Sequence, residues 1–159
     1  CPLHTLYFQV STFISLEKIA GIHWWYMTPS HAAELTAGYY NTIYHDGYKT
    51  IEAMFKKYNA VFDFTCLEML DSSQHDCGCG PQQLVEQTEN DVYAAGGLYG
   101  GENALPIDNY WGGYEQVLKM SYRNGHALDG FTYLRLNAGL LSGNEWNMFK
   151  SFTNKMHNL

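Results

Sequence analysis

The stretch Gly100-Gly101-Glu102-Asn103-Ala104-Leu105-Pro106 concentrates groups that can do chemistry. Two glycines let the backbone pass close to other groups, a carboxylate and an amide follow at once, and Pro106 forbids continuation as a central strand. In a parallel α/β protein the carboxyl ends of strands face the ligand crevice, so Glu102 and Asn103 are expected where substrate is handled. The same spacing also suits a glutamate beside a turn in solvent. Three further candidates carry their own alternatives. Lys18 precedes an apolar strand and suits a solvated charge; His23, between Ile22 and Trp24, suits a core histidine. Arg135, in Tyr-Leu-Arg-Leu, brings five donors that need partners at a strand end. In Gln74-His75-Asp76-Cys77-Gly78-Cys79-Gly80, His75, Cys77 and Cys79 could ligate a soft metal, but zinc wants four ligands and no fourth is near. A flexible loop with redox-sensitive thiols fits better, so no metal or cofactor is expected.

The elements that must position these residues follow from periodicity. Lys18 to Tyr26 is short, apolar and partly β-branched, hence a buried strand in which Gly21 permits close backbone approach. Thr28-Pro29 reads as a helix start with Thr as cap. Asp46-Gly47 opens a helix to about Tyr58, with Tyr48, Ile51, Met54, Phe55 and Tyr58 on one face and Glu52 paired with Lys56. Val61 to Met69 is the next strand, with Thr65 near its carboxyl end, followed by a long loop from Leu70 to Gly80 and a helix from Pro81 to about Glu89. A third strand ends in Glu102, and Tyr110, Tyr114, Val117 and Leu118 mark a helix. Phe131 to Leu136 is the fourth strand; Trp146, Phe149, Phe152 and Met156 mark a closing helix. The reference residues His23, Thr65, Glu102 and Arg135 step by 42, 37 and 33 residues, which fits a parallel βα series.

Composition bounds the function classes. At 159 residues the chain can build one domain with a real core, but a whole (β/α)8 barrel usually needs about 250 residues. A hydrophobic fraction of 46% with 16% charged residues is globular. Aromatic residues reach 16%, led by 13 Tyr, which suits a sugar-binding cleft and equally a Tyr-rich core. The formal net charge of -7 argues against a nucleic-acid partner. No apolar run approaches the length of a membrane span, so no membrane partner is expected, and no basic leader supports a signal peptide. A cytoplasmic or plastid location fits. Cys1, Cys66, Cys77 and Cys79 do not form a spaced disulfide framework, and Cys66 reads as a buried thiol. Residues 1 to 12 carry no placeable pattern, and the chain reads as a fragment.

Gly101-Glu102-Asn103-Ala104-Leu105-Pro106 resembles the second catalytic motif of the β-amylases, inverting enzymes that remove maltose from the non-reducing ends of α-1,4-glucans. Four more blocks resemble the same family in its order: Gly21-Ile22-His23-Trp24-Trp25-Tyr26; His31-Ala32-Ala33-Glu34-Leu35-Thr36-Ala37-Gly38-Tyr39-Tyr40-Asn41; Phe64-Thr65-Cys66-Leu67-Glu68-Met69; and Thr132-Tyr133-Leu134-Arg135-Leu136. The resemblance covers roughly residues 16 to 157. It implies an α/β fold, the C-terminal half of a (β/α)8 TIM barrel, strands five to eight with their helices. Residues 1 to 159 are then one partial glycosidase domain, with the N-terminal half of the barrel as its missing partner.

Glycosidic cleavage usually takes two carboxyl groups. A local reading pairs Glu102 with Glu68; the resemblance instead makes Glu102 the general base and puts the general acid upstream of this chain, leaving Glu68 to orient the loop. It also implies sugar contacts from Asn103, Ala104 and Thr65, and glucosyl binding beyond the scissile bond from Lys18 and His23. Arg135 joins them as a substrate-binding candidate, with a sugar hydroxyl or neighbouring glutamates as partners. The implied ligands are α-1,4-glucan and maltose. Met27, Leu70 and Ile107 stand where the family commonly has basic residues, and Asp71-Ser72-Ser73-Gln74 departs from its inner-loop pattern. Two functions follow as expectations: a β-amylase half, inactive alone because the acid is missing, or a non-catalytic glucan or maltose sensor or scaffold. Half a barrel also leaves apolar edges open, so the chain alone should self-associate unless they are covered.

Overall fold

The computed structural model describes residues 14–19, 22–74, 76–107 and 112–159. The expectations for residues 1 to 12, Gly21, His75 and Tyr110 lie outside the described residues. In chain order the elements are β1 (Ser15–Lys18), α1 (His31–Thr36), α2 (Lys49–Lys57), β2 (Ala60–Phe64), α3 (Pro81–Ala94), β3 (Leu98–Glu102), α4 (Gly113–Met120), β4 (Tyr122–Arg123), β5 (His126–Ala127), β6 (Gly130–Thr132) and α5 (Gly143–His157). Strands β1, β2, β3 and β6 form one sheet in that order, every neighbour pair parallel. This is the expected half-barrel of successive strand and helix units.

Every residue of β2 is buried, as a parallel strand covered on both faces must be. Its two faces differ in chemistry. Phe62 and Phe64 join Tyr99, Phe55 and Tyr48 in an aromatic core beneath α2 and α3, with Phe55 edge-on to Phe62 at 5.2 Å. The register and the two-residue alternation of strands put Lys18, Asp63, Gly100, Glu102, Gly130 and Thr132 together on the other face. Glycine is required twice there. A side chain at Gly100 would meet Val61 and the Asp63 carboxylate, and one at Gly130 would meet Leu16 reaching over from β1.

The strands end earlier than their apolar runs suggest. The expected strand Lys18 to Tyr26 is instead Ser15–Lys18, closed by Ile19 N–H donating to Asp63 O at 3.0 Å. In this register residues 22–26 would face 67–71, but β2 has already turned away at Cys66, where φ is +69°. The same turn ends the second strand at Phe64 rather than Met69, and the fourth strand stops at Thr132 rather than Leu136, before Arg135 at φ +72°.

The helices also depart from expectation in particular places. Thr28 does not cap a helix: its N–H and hydroxyl both donate to Trp25 O, making a turn, and α1 starts only at His31. Asp46 does open α2, accepting from Tyr48 N–H at 3.0 Å and Lys49 N–H at 3.3 Å. Tyr48 and Phe55 are core, but Met54 and Tyr58 are 50% and 69% exposed. The Glu52 to Lys56 pair does not form, because Glu52 shares the buried face with Tyr48 and Phe55 while Lys56 Nζ donates to Ala95 O. Helix α3 runs past Glu89 to Ala94, carried on by buried Val92. The hairpin β4–β5, turning at Asn124-Gly125 with both φ positive, has the sequence signal of a tight hairpin turn that the pattern reading passed over. Among the described residues no helix is long and apolar enough to cross a membrane.

Glu52 has an oxygen with no hydrogen-bond partner, and burial, followed by the charges of Asp91 and Asp46, pushes its carboxyl from 4.5 up to about 8. The folded state therefore holds a proton that the unfolded state releases. The associated stability is present below pH 4.5 and lost as pH rises through about 8. Glu52→Gln is expected to remove this slope and to stabilise the chain at the alkaline end by on the order of a few kcal/mol. Denaturant titrations of both proteins across that range check it; equal slopes would refute a buried, protonated Glu52.

Candidate active site

Glu102 is the last residue of β3 and is 2% exposed, held on the concave face by the alternation of the strand. A carboxylate in that position needs a partner. Lys18 supplies it: its Nζ forms an ion pair with Glu102 Oε1 from the end of β1, reaching past the intervening strand β2. Asp63 of β2 lies between them in register and is 1% exposed. Its Oδ2 accepts from the Thr132 hydroxyl at 3.4 Å, and its Oδ1 has no hydrogen-bond partner. Burial, then the neighbouring Glu102 charge, pushes the Asp63 carboxyl from 3.8 up to about 6. Asp63 was missed in the sequence, although a lone acid inside Ala-Val-Phe-Asp-Phe was a signal that this strand face is not plain core.

Beyond Glu102 the chain makes a turn whose backbone is gripped by side chains. The Glu68 carboxylate accepts Leu105 N–H at 2.7 Å and Ala104 N–H at 3.0 Å. Burial is the main influence that raises its pKa, and those two N–H bonds oppose it. Glu68 thus orients the turn that follows Glu102. Asn103 locks the same turn to the end of β6: its amide donates to Leu105 O and Leu134 O and accepts from Leu134 N–H, all at 2.8 Å. Arg135 Nε donates to Ala104 O at 3.3 Å. Glu102, Asn103, Ala104 and Arg135 are therefore brought to one strand-end cluster with Lys18. In that cluster the Asn103 amide is engaged by backbone, and Ala104 keeps the second lone pair of its carbonyl.

Thr65 is buried one residue past β2, and Leu67 N–H in the same turn donates to Glu102 O at 3.2 Å, tying this turn to the end of β3. A side chain at Gly101 would collide with Leu67, so the second glycine of the pair keeps the two turns in contact. Cys66 is a buried free thiol, as expected, with burial pushing it up to about 12. The loop after β2 is anchored at both ends. Asp71 accepts from Gln82 N–H at 2.9 Å and Gln83 Nε2 at 2.8 Å at the start of α3.

His23 has different neighbours from the carboxylate cluster. Its half-buried ring packs on Trp24 at 4.6 Å, and burial lowers its pKa, which favours the neutral imidazole at pH 7. It also faces Cys77 and Cys79 of the loop. These two are joined as a disulfide with Cα atoms 5.2 Å apart, where the sequence suggested a loop of thiols. The residue between them, Gly78, takes φ +55°, which lets the chain double back.

The arrangement offers one buried carboxylate paired with a cation at a strand's carboxyl end, a second carboxylate of raised pKa beside it, and a ring of polar groups above. Such a constellation can move a proton to or from a bound hydroxyl or water. Residues 5–159 match the model of glycosyl hydrolase family 14. The chain is 47% identical over 149 residues to beta-amylase 1, chloroplastic, of Arabidopsis thaliana, an alignment covering 87% of this chain and 26% of that protein. It is 43% identical over 149 residues to the beta-amylase of Glycine max, covering 88% of this chain and 30% of the relative. The catalytic domain of the beta-amylase from Paenibacillus polymyxa superposes with a TM-score of 0.68 at 31% identity, over 86% of this chain and 32% of that one. The chain thus spans less than a third of the length of these relatives. The parallel half-barrel, the Glu102 strand end and these matches together mean that the chain belongs to glycosyl hydrolase family 14, the β-amylase family.

Proposed function

We propose that this chain carries the general-base half of an inverting α-1,4-glucan maltohydrolase. The observation that carries the reading is Glu102, a buried carboxylate paired with the Lys18 cation at the carboxyl end of a barrel strand. Its carboxylate takes the proton of a water that attacks the anomeric carbon, on the face opposite the leaving glucan. The leaving oxygen needs a proton from a second carboxyl group, which an inverting enzyme sets about 6.5–9.5 Å from the base. Glu68 does not suit that second role, because both its oxygens hold backbone N–H groups. Membership of the family puts the acid in the rest of a complete barrel, so the 159-residue chain alone is inactive.

The remaining roles follow from what each group has left to offer. Lys18 carries three N–H donors, so its ion pair with Glu102 leaves capacity for a glucosyl hydroxyl. Arg135 is oriented by Ala104 O through Nε, and its other guanidinium donors can meet a sugar. Thr65 offers a hydroxyl beside the turn that touches Glu102 O, Ala104 lines the approach on a turn that the buried Asn103 holds, and His23 offers a neutral ring nitrogen to a second glucosyl unit. The substrate is a starch-type α-1,4-glucan and the product maltose. The relatives named chloroplastic favour a plastid.

The reading is tested by maltose release from soluble starch, with the initial anomer resolved by NMR, for a complete barrel carrying this chain and for its Glu102→Gln variant. Initial β-maltose is expected, with the variant slower by about 10²–10⁴-fold, the usual worth of a general base. A folded barrel that binds maltose but releases none would sink the enzyme reading and leave the sensor or scaffold.

Glu68 is expected to act by positioning. Glu68→Ala removes the acceptor of two part-buried N–H groups, at a cost of about 0.5–1.5 kcal/mol each, while Glu68→Gln keeps one acceptor. Maltose affinity of the complete barrel, measured by calorimetry, should fall in the order wild type, Gln, Ala. Equal affinities would show that the turn holds itself.

A further inference from the structure

The pair Cys77 and Cys79, with His23, is the one group of ligating side chains among the described residues that lies outside the carboxylate cluster and converges on a point. The two sulfurs and a ring nitrogen of His23 lie within 4.8 Å of one another. Two thiolates and an imidazole are the donor set of thiophilic cations, and zinc accepts it with the fourth position left to water. A zinc ion bonded at about 2.3 Å to sulfur and about 2.0 Å to nitrogen needs its ligands just under 4 Å apart, so on reduction the two sulfurs must separate while the His23 ring closes on them by about 1 Å.

The convergence is built into the packing. A side chain at Gly78 would press on Pro29 at 3.0 Å, and one at Gly80 would collide with Trp25 and Thr28. The loop therefore rests directly on the segment that follows His23, while Asp71 and Pro81 fix it to α3. In the oxidised chain the sulfurs are bonded to each other and cannot serve as thiolate ligands. A dithiol or phosphine reductant supplies two electrons, the disulfide takes up two protons to give two thiols, and metal binding then releases those protons.

We propose that the reduced chain binds one thiophilic divalent cation, Zn2+ by preference, through Cys77 Sγ, Cys79 Sγ and a His23 ring nitrogen, and that oxidation to the disulfide closes this site. The proposal goes beyond the hydrolase reading. Only its consequence, that a bound metal withdraws His23 from sugar, rests on that reading.

The test needs no substrate, so its failure is distinct from failure of the hydrolase reading. The full chain is reduced with a phosphine, freed of reductant under inert gas and titrated with Co2+. Thiolate-to-cobalt charge transfer and the visible bands of a tetrahedral ion are expected, saturating at a single Co2+ per chain and lost on adding Zn2+. The oxidised chain and a Cys77→Ser, Cys79→Ser double variant should give none. His23→Ala should weaken Zn2+ competition by about tenfold or more, the least that losing a ligand costs. Absence of the bands in the reduced chain overturns the proposal. So does their survival in the double variant, which would assign them to Cys1 or Cys66, or an unchanged Zn2+ affinity in His23→Ala.

Discussion

The ion pair between Lys18 and Glu102 sets the terms for the concave face of the sheet. Glu102 and Asp63 are both buried there, on adjacent strands, and a desolvated carboxylate is costly unless a cation or donors meet it. Among the described residues the cation in contact with Glu102 comes from β1, two strands away from β3, so it must cross over β2 to arrive. On the same face Gly100 leaves room for Val61 and Asp63, and Gly130 leaves room for Leu16.

The turns above the sheet follow a second rule. Where their backbone groups no longer meet a neighbouring strand, side chains satisfy several of them. Glu68 takes two N–H groups from the turn after β3, and Asn103 bridges that turn to the end of β6. The ends of β3 and β6 are thus each held by a polar side chain from the adjoining strand end, and Glu102 sits at this seam. His23 and the Cys77–Cys79 loop sit outside it.

The βα rhythm and the position of Glu102 were legible because both depend on short-range patterns: apolar runs, turn residues and a glycine pair before an acid. Strand ends were not. Thr65 to Met69 and His23 to Tyr26 look like strand by composition, yet the turn at Cys66 breaks the register that would continue the ladder through them. Glu52 misled for a related reason: the i,i+4 spacing to Lys56 is real, but which helix face is buried depends on the packing of α2 against β2. Asp63 is masked in the sequence by the apolar run around it, and the Asn124-Gly125 turn joins strands of only two residues each, too short to show an alternating pattern.

The two outer strands bring stability and function into the same place. Among the described residues β1 and β6 each have a single sheet neighbour, and all four residues of β1 are exposed. An edge strand with unpaired backbone groups and exposed Leu16 is a template for further pairing. A closed barrel removes such edges. Pairing along β1 would bury Leu16 and draw water away from Lys18, whose side chain is now 46% exposed, and a lower local dielectric strengthens its attraction to Glu102. Closure at β6 would likewise steady the segment that leads to Arg135. The edge strand β1 thus carries Lys18, the cation that faces Glu102, so whatever covers that edge acts on the field around Glu102.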